Sequence, residues 1–267
     1  MKISVITINY NNAIGLRKTI ESVVCQTYNN YEYIIIDGGS TDKSVDVITE
    51  FSEKITYWVS EPDKGIYNAM NKGFAVATGD YCIFMNSGDC FYDENVFTGF
   101  SEICHQEDIV VGLVYNKSNN ALLFSQPKKI ISLYNLYSST IPHQGAFIKT
   151  TLQKKFPYNE NLKIVADWDF FVHAVILANC SIRFTNLPIA LFDIEGVSTS
   201  NPQVTWNEKE MVLKQIFPQR VIADYQQMKA SECLTQTLTP QLRKKYKIDK
   251  LLYMIGTLLL KICKTEK

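Results

Sequence analysis

The sequence predicts an α/β fold built on a doubly wound, mostly parallel sheet, and two observations carry that reading. Four β-then-α steps follow one another in the first ninety residues, which is the element order of such a sheet. The run Tyr81–Met85 is apolar throughout and lies between Gly79-Asp80 and Asn86-Ser87-Gly88-Asp89, the pattern of a strand buried on both faces.

Ile3–Ile8, rich in β-branched residues, is the first strand. Asn9-Tyr10-Asn11-Asn12 then makes a turn with a helix N-cap, and Leu16, Ile20, Val23 and Val24 form the apolar face of the helix that follows. Tyr33–Ile36 is the second strand, ended by Asp37. Gly38-Gly39 turns the chain, and Ser40 or Thr41 caps a helix carrying Val45, Ile48 and Phe51. Ile55–Val59 is the third strand. Ala69, Met70, Gly73, Phe74 and Ala77 recur at helical spacing before the fourth, Tyr81–Met85. Farther on, Ile109–Tyr115 reads as a strand and Ala121–Ser125 as its return across a polar turn. Residues 126–142 show no period and read as an acceptor loop.

Ligands of an open parallel sheet bind outside the carboxyl ends of its strands. Asp37 and Asp89 end different strands on one expected edge, so two carboxylates facing one crevice make a candidate site. Gly88 lets the backbone turn and lets a ligand or ion come close. Asp89 then either holds a hard divalent cation against a diphosphate or accepts backbone hydrogen bonds in a plain turn.

Composition removes several classes of function. Lys plus Arg and Asp plus Glu both number 27, so the formal net charge is zero and no global basic field gathers nucleic acid. The seven cysteines include no C-x-x-C pair and no zinc spacing, which fits free thiols in a reducing cytosol. No G-x-G-x-x-G follows the first strand, and G-x-x-x-x-G-K-[ST], G-x-S-x-G and H-E-x-x-H are absent. Dehydrogenase, P-loop, serine-hydrolase and zinc-protease chemistry are therefore disfavoured, leaving a metal-phosphate site without a P-loop.

Thr7-Ile8-Asn9-Tyr10-Asn11, Asp37-Gly38-Gly39-Ser40-Thr41-Asp42 and the stretch Ser60–Asp89 together resemble family 2 glycosyltransferases of the GT-A fold, in the bacterial branch that builds surface polysaccharides. The resemblance implies a GT-A nucleotide-diphospho-sugar transferase domain over residues 1–204, with 1–100 as the nucleotide-sugar half and 101–204 as the acceptor half. Residues 205–267 would be a helical C-terminal extension. It implies a nucleotide-sugar donor, usually a UDP-sugar, a Mg or Mn cation, and a glycan or lipid-linked saccharide acceptor. Asp37 matches the residue that contacts the base, and Thr7, Asn9 and Tyr10 match the wall of the nucleotide pocket. Asp63 and Asn71 would bond ribose or sugar hydroxyls, with Lys72 facing phosphate. Asn86-Ser87-Gly88-Asp89 matches the acidic D-x-D region, Asn86 and Gly88 standing in for carboxylates, so Asp89 is left as the main metal ligand. His143, paired with Gln144, would lie beside the donor and acceptor pocket.

Asp167 in Val165–Phe171 either caps the helix it opens or does chemistry. Glycosyl transfer needs a base for the acceptor hydroxyl on the face opposite the leaving group. The family's Glu-Asp motif falls here, with Asp167 matching its Asp and Ala166 replacing its Glu. Asp167 is thus the expected base, and Asp169 its alternative or hydrogen-bond partner. A single displacement with inversion follows, the metal stabilising the departing diphosphate. Glu195–Ser200 resembles a loop that closes over phosphate or acceptor.

In the tail, Ile248, Leu251, Leu252, Ile255, Leu259 and Ile262 make one apolar face and Lys and Arg gather on another. Residues 241–267 would dock on the body or make peripheral contact with the cytoplasmic face of the inner membrane, the rest of the chain being cytoplasmic. The alternative to an enzyme is a non-catalytic nucleotide-sugar or polysaccharide-binding protein, suggested by Asn86, Gly88 and Ala166. A nucleotidyltransferase shares the metal-diphosphate chemistry but lacks its Gly-rich triphosphate loop here.

Overall fold

The computed structural model describes residues 1–103, 106–123, 130–192 and 201–231. The chain divides into two compact units, Met1–Val212 and Leu213–Lys267. In the second, residues 219–231 are helical. The expected loop at 195–200 and the basic tail at 241–267 lie outside the described residues. Among the described residues no helix is long and apolar enough to cross a membrane.

The first unit is organised on an eight-stranded sheet of β1 (Ile3–Asn9), β2 (Tyr31–Asp37), β3 (Tyr57–Ser60), β4 (Tyr81–Phe84), β5 (Cys90–Phe91), β6 (Ile109–Asn116), β7 (Ala146–Lys149) and β8 (Ile182–Phe192). The strand order is β3-β2-β1-β4-β7-β6-β8-β5. β3, β2, β1 and β4 are parallel, as four β-α steps require. The short β7 is antiparallel to both β4 and β6, so β6 and its parallel neighbour β8 run with the first four. This mixed half is the departure from a mostly parallel sheet. It places the residues just before β7, including His143 and Gln144, at the edge where β1, β2, β4 and β6 end.

β1 and β2 pair in register from Ile3↔Tyr31 to Asn9↔Asp37, which sets Asn9 and Asp37 side by side. Their inner residues Val5, Tyr33 and Ile35 join Leu16 and Ile20 of α1 (Ala13–Val24) in the main core. Asn12 caps α1 by accepting from Gly15 N–H at 3.0 Å. For α2 (Ser44–Glu50) the expected cap does not form, because Ser40 Oγ donates to Asp37 Oδ1 at 2.6 Å. Asp42 accepts from Ser44 N–H instead, at 2.9 Å. α3 (Ile66–Val76) starts at the carboxyl edge after β3, and α4 (Val96–Ile103) brings Phe100 onto Phe147 of β7.

Residues 130–142 contain α5 (Leu133–Ser138), where an acceptor loop was expected. Ser132 and Asn135 form a capping box, and Leu133, Leu136 and Tyr137 are buried. Six residues are fewer than two turns, too short for a periodicity to register. The return of Ala121–Ser125 reduces, among the described residues, to the bridge Tyr115↔Leu122. α6 (Thr150–Lys155) follows β7, and α7 (Ala166–Phe171) continues into a π-helical segment, Val172–Leu177. α8 spans Pro202–Ile216.

Opposite the carboxyl edge, Glu32 ties three elements together. Its buried carboxylate accepts from Lys2 Nζ at 2.6 Å, Ser4 Oγ at 2.6 Å, Thr78 Oγ1 at 2.7 Å and Gly79 N–H at 3.1 Å. Burial alone would push its pKa up, but Lys2, Ser4 and Thr78 together pull it down to about 2. A depressed pKa stabilises the fold above the ordinary carboxylate range, and that stability is lost as pH falls through about 2. Glu32→Gln is expected to cost about 2–3 kcal/mol in urea unfolding at neutral pH. The gap between variant and wild type should narrow as pH falls from the ordinary glutamate range toward the folded-state value; a pH-independent gap would contradict this account.

Candidate functional site

The carboxyl edge carries a polar floor built from three strand ends. Asp37 is fully buried, and each of its oxygens takes two protein donors. Oδ1 accepts from Asn9 Nδ2 at 2.7 Å and Ser40 Oγ at 2.6 Å; Oδ2 accepts from Ser60 Oγ at 2.6 Å and Ser40 N–H at 2.9 Å. Burial raises its pKa, yet Ser40, Ser60 and Asn9 hold it below the ordinary value. Four donors fill a carboxylate's acceptor capacity, so Asp37 organises the floor and has nothing left to offer a base. Asn9 is equally committed, since its Oδ1 accepts from Ser87 Oγ at 2.7 Å. Thr7 is core rather than pocket wall: its hydroxyl reaches Met85 O at 2.8 Å and Tyr33 Oη at 3.0 Å with no exposure.

Tyr10 stands out from this floor, 66% exposed. A Cβ at Gly38 would lie 2.5 Å from Asp63 Oδ2 and 3.3 Å from Tyr10 Cδ2, so only glycine lets that carboxylate and ring close on the backbone. Asp63 Oδ1 accepts from Gly65 N–H at 2.8 Å, and among the described residues Oδ2 has no protein donor. The Asp63 carboxylate and the Tyr10 ring thus meet the bare backbone of Gly38.

Two expected donor-side residues are occupied elsewhere. Lys72 Nζ binds Glu61 at 2.6 Å and does not face the edge as a lone cation. Asn71 exchanges hydrogen bonds with the Tyr158 backbone at 2.9 and 3.0 Å and donates to Glu160 at 2.7 Å. It pins the 158–160 segment to α3. Tyr158 in turn packs its ring against Tyr67, Phe84 and Phe170, which connects α3 and β4 to α7.

Beyond β4 the chain makes a tight tip. Asp89 N–H donates to Asn86 O at 2.9 Å, Gly88 takes φ +110°, and Thr19 Oγ1 accepts from Gly88 N–H at 3.0 Å while donating to Asp89 O at 2.7 Å. The Asp89 carboxylate is nearly buried and accepts from Gln144 Nε2 at 3.1 Å. Lys117, just past β6, sets its ammonium 2.8 Å from Gly88 O, a cation that no motif announced. Among the described residues no cluster of three or more His, Cys, Asp or Glu can hold a metal ion.

Across the tip, His143 bridges two groups. Its Nε2 lies 3.2 Å from Asn86 Nδ2 and its Nδ1 lies 3.0 Å from Asp167 Oδ2. Asp167 is the second residue of α7, not its cap, which is Val165. Its Oδ1 accepts from Trp168 N–H at 2.9 Å and lies 3.3 Å from Tyr67 Oη, whose proton goes to Ile164 O at 2.5 Å. The start of α7 is held from outside: Glu208 of α8 accepts from the N–H groups of Lys163, Ile164 and Val165 at 2.7–3.3 Å. Trp168 Nε1 donates to Leu136 O of α5 at 2.7 Å. Asp169 is not a partner of Asp167. It turns to His173 at 3.1 Å, and burial raises its pKa against the pull of that histidine.

The structure therefore brings Asn86, Asp89, His143 and Asp167 to one edge with Tyr10 and Asp63, and withdraws Thr7, Asn9, Asp37, Asn71 and Lys72 into supporting contacts. Lys117 and Glu208 were not singled out as site residues, and both act through contacts more than 25 residues away in sequence.

Residues 4–164 match the family described as Glycosyl transferase family 2. An uncharacterized glycosyltransferase of Mycobacterium tuberculosis is 32% identical over 210 residues, which cover 74% of this chain and 77% of that protein. Among solved structures, Staphylococcus aureus TarS 1-349 in complex with UDP-GlcNAc aligns with a TM-score of 0.67 at 20% identity, over 81% of this chain and 65% of that one. Glucosyl-3-phosphoglycerate synthase of M. tuberculosis, in complex with Mn2+, UDP and phosphoglyceric acid, aligns at 0.57 and 14% identity, over 81% of this chain and 79% of that one.

Proposed function

Because this chain belongs to glycosyl transferase family 2 and has the GT-A fold, we propose that it moves a sugar from a UDP-sugar to a hydroxyl of a glycan or lipid-linked saccharide, inverting the anomeric centre. The observation that carries this reading is the Asp167 carboxylate, fixed by His143 and Trp168 on the edge that also carries Asn86 and Asp89. Asp167 Oδ2 takes the proton of the acceptor hydroxyl while that oxygen bonds to the anomeric carbon. The bond from that carbon to the diphosphate breaks, and its electron pair leaves with the diphosphate. One enzyme carboxylate suffices for such a displacement.

For the base we assign Asp63 and Tyr10 in place of Asp37. Asp63 Oδ2 has no protein donor among the described residues and lies beside Gly38 and the Tyr10 ring, which offers the imino N–H of a uracil an acceptor, whereas every acceptor site of Asp37 is filled. Asp89 fits a hard cation that arrives with the diphosphate, since such ions take one or two protein carboxylates plus phosphate oxygens. A bound cation would neutralise charge on the leaving diphosphate.

The test is calorimetric titration of UDP, together with UDP release from a panel of UDP-sugars. Wild type should bind UDP, and Asp63→Ala should weaken binding by about 10- to 100-fold through loss of a charge-assisted hydrogen bond. Absence of UDP binding with and without Mn would remove UDP from this proposal. Binding without turnover of any UDP-sugar would favour the non-catalytic binding protein.

A further inference from the structure

His143 and Asn86 form a pair whose hydrogen-bond logic determines how the base is presented. An amide nitrogen only donates, so Asn86 Nδ2 at 3.2 Å requires His143 Nε2 to be the bare, accepting nitrogen. The ring proton is then on Nδ1, where it is donated to Asp167 Oδ2 at 3.0 Å. Asn86 Oδ1, on the other side of the amide, is buried and meets no donor among the described residues.

The consequence is chemical. A doubly protonated imidazole would form an ion pair with Asp167 and lower its appetite for a proton, whereas a neutral Nδ1–H orients the carboxylate and leaves its charge intact. Trp168 N–H takes one site of Oδ1 and His143 Nδ1–H one site of Oδ2, so Oδ2 keeps a lone pair that can meet a substrate proton. A carboxylate at position 86 would accept from Nε2–H and draw a second proton onto the ring. The asparagine there prevents this.

We infer that His143 is a positioning residue that orients Asp167 as a neutral Nδ1–H imidazole, and that Asn86 serves the transfer by enforcing that tautomer. The inference rests on the reading of Asp167 as the base.

Two amides at position 143 separate the ends of the imidazole. The amide nitrogen of His143→Asn falls where Nδ1 lies and keeps a donor toward Asp167. The amide of His143→Gln reaches to where Nε2 lies and keeps only a partner for Asn86. With the UDP-sugar that gives the fastest UDP release, H143Q should lower kcat about 10²-fold with KM for donor changed less than about twofold. H143N should recover to within about fivefold of wild type. Equal Tm and equal UDP affinity of the two variants would exclude a folding effect. Equal kcat for H143N and H143Q, or a loss confined to KM, would overturn the inference. Asp167→Asn is measured alongside: if it stays active, the base assignment itself has failed, whereas an inactive Asp167→Asn with equivalent position-143 variants rejects only the role of His143.

Discussion

Asp167→Asn should lower kcat by about 10³-fold, within the range general-base catalysis supplies, while UDP affinity stays within about twofold of wild type. The substitution keeps the volume of the side chain and an oxygen for Trp168 N–H, so α7 retains its anchor. What it removes is the proposed proton acceptor. It also places an amide nitrogen opposite His143 Nδ1, and the chain Asp167–His143–Asn86 can answer only by moving the ring proton to Nε2 and turning the Asn86 amide over. That rearrangement stays inside the site, so the unfolding midpoint should fall by only a few degrees for about 1 kcal/mol. Asp169→Asn is the internal contrast. Asp169 lies two residues away but faces His173, and its loss should change kcat by less than about threefold. If Asp167→Asn retained more than about a tenth of wild-type kcat, the base would lie elsewhere and the inverting mechanism would lose its acceptor-side residue.

The same residues show how far the sequence could be read and where physical reach ended that reading. The β-branched run Ile3–Ile8 and the apolar run Tyr81–Phe84 announce buried strands, and element order then requires Asn9, Asp37 and Asp89 to share an edge. That edge and the family were legible from pattern alone. What a motif cannot carry is whether a polar side chain faces a ligand or another side chain. Asp37 is drawn inward by Ser60, 23 residues later, and Asn71 by Tyr158, 87 residues later. Lys72 is held by Glu61, which any helix-face reading leaves undecided because a solvated lysine and a paired one share a sequence pattern. β7 is only four residues long, and its antiparallel insertion, invisible to element order, is what delivers His143 and Gln144 to the tip. α5 escaped detection for the same reason of length, although it holds Trp168 and through it the helix of the base.

Mn titrated into the protein alone is expected to give no heat of binding, whereas UDP should bind at least about 10²-fold more tightly with Mn than with EDTA, and Asp89→Ala should abolish that difference. A cation stored by the free protein needs several hard ligands, and the described residues offer no cluster of three acidic, histidine or cysteine groups. One carboxylate is enough only when phosphate oxygens complete the shell. The tip is shaped for such an arrival: Gly88 at φ +110° removes a side chain from the approach, Thr19 fixes the turn from below, and Gln144 holds the Asp89 carboxylate at 3.1 Å. Gly88→Ala should therefore weaken metal-dependent UDP binding, because a Cβ is strained at φ +110° and relieving that strain displaces Asp89 beside it. Lys117 gives the experiment a second arm. Its ammonium lies 2.8 Å from Gly88 O, close enough to the tip to meet part of the diphosphate charge without a metal. If EDTA leaves UDP affinity unchanged and Lys117→Met reduces it, the cation at this edge is the lysine, and the role of Asp89 as a metal ligand is lost.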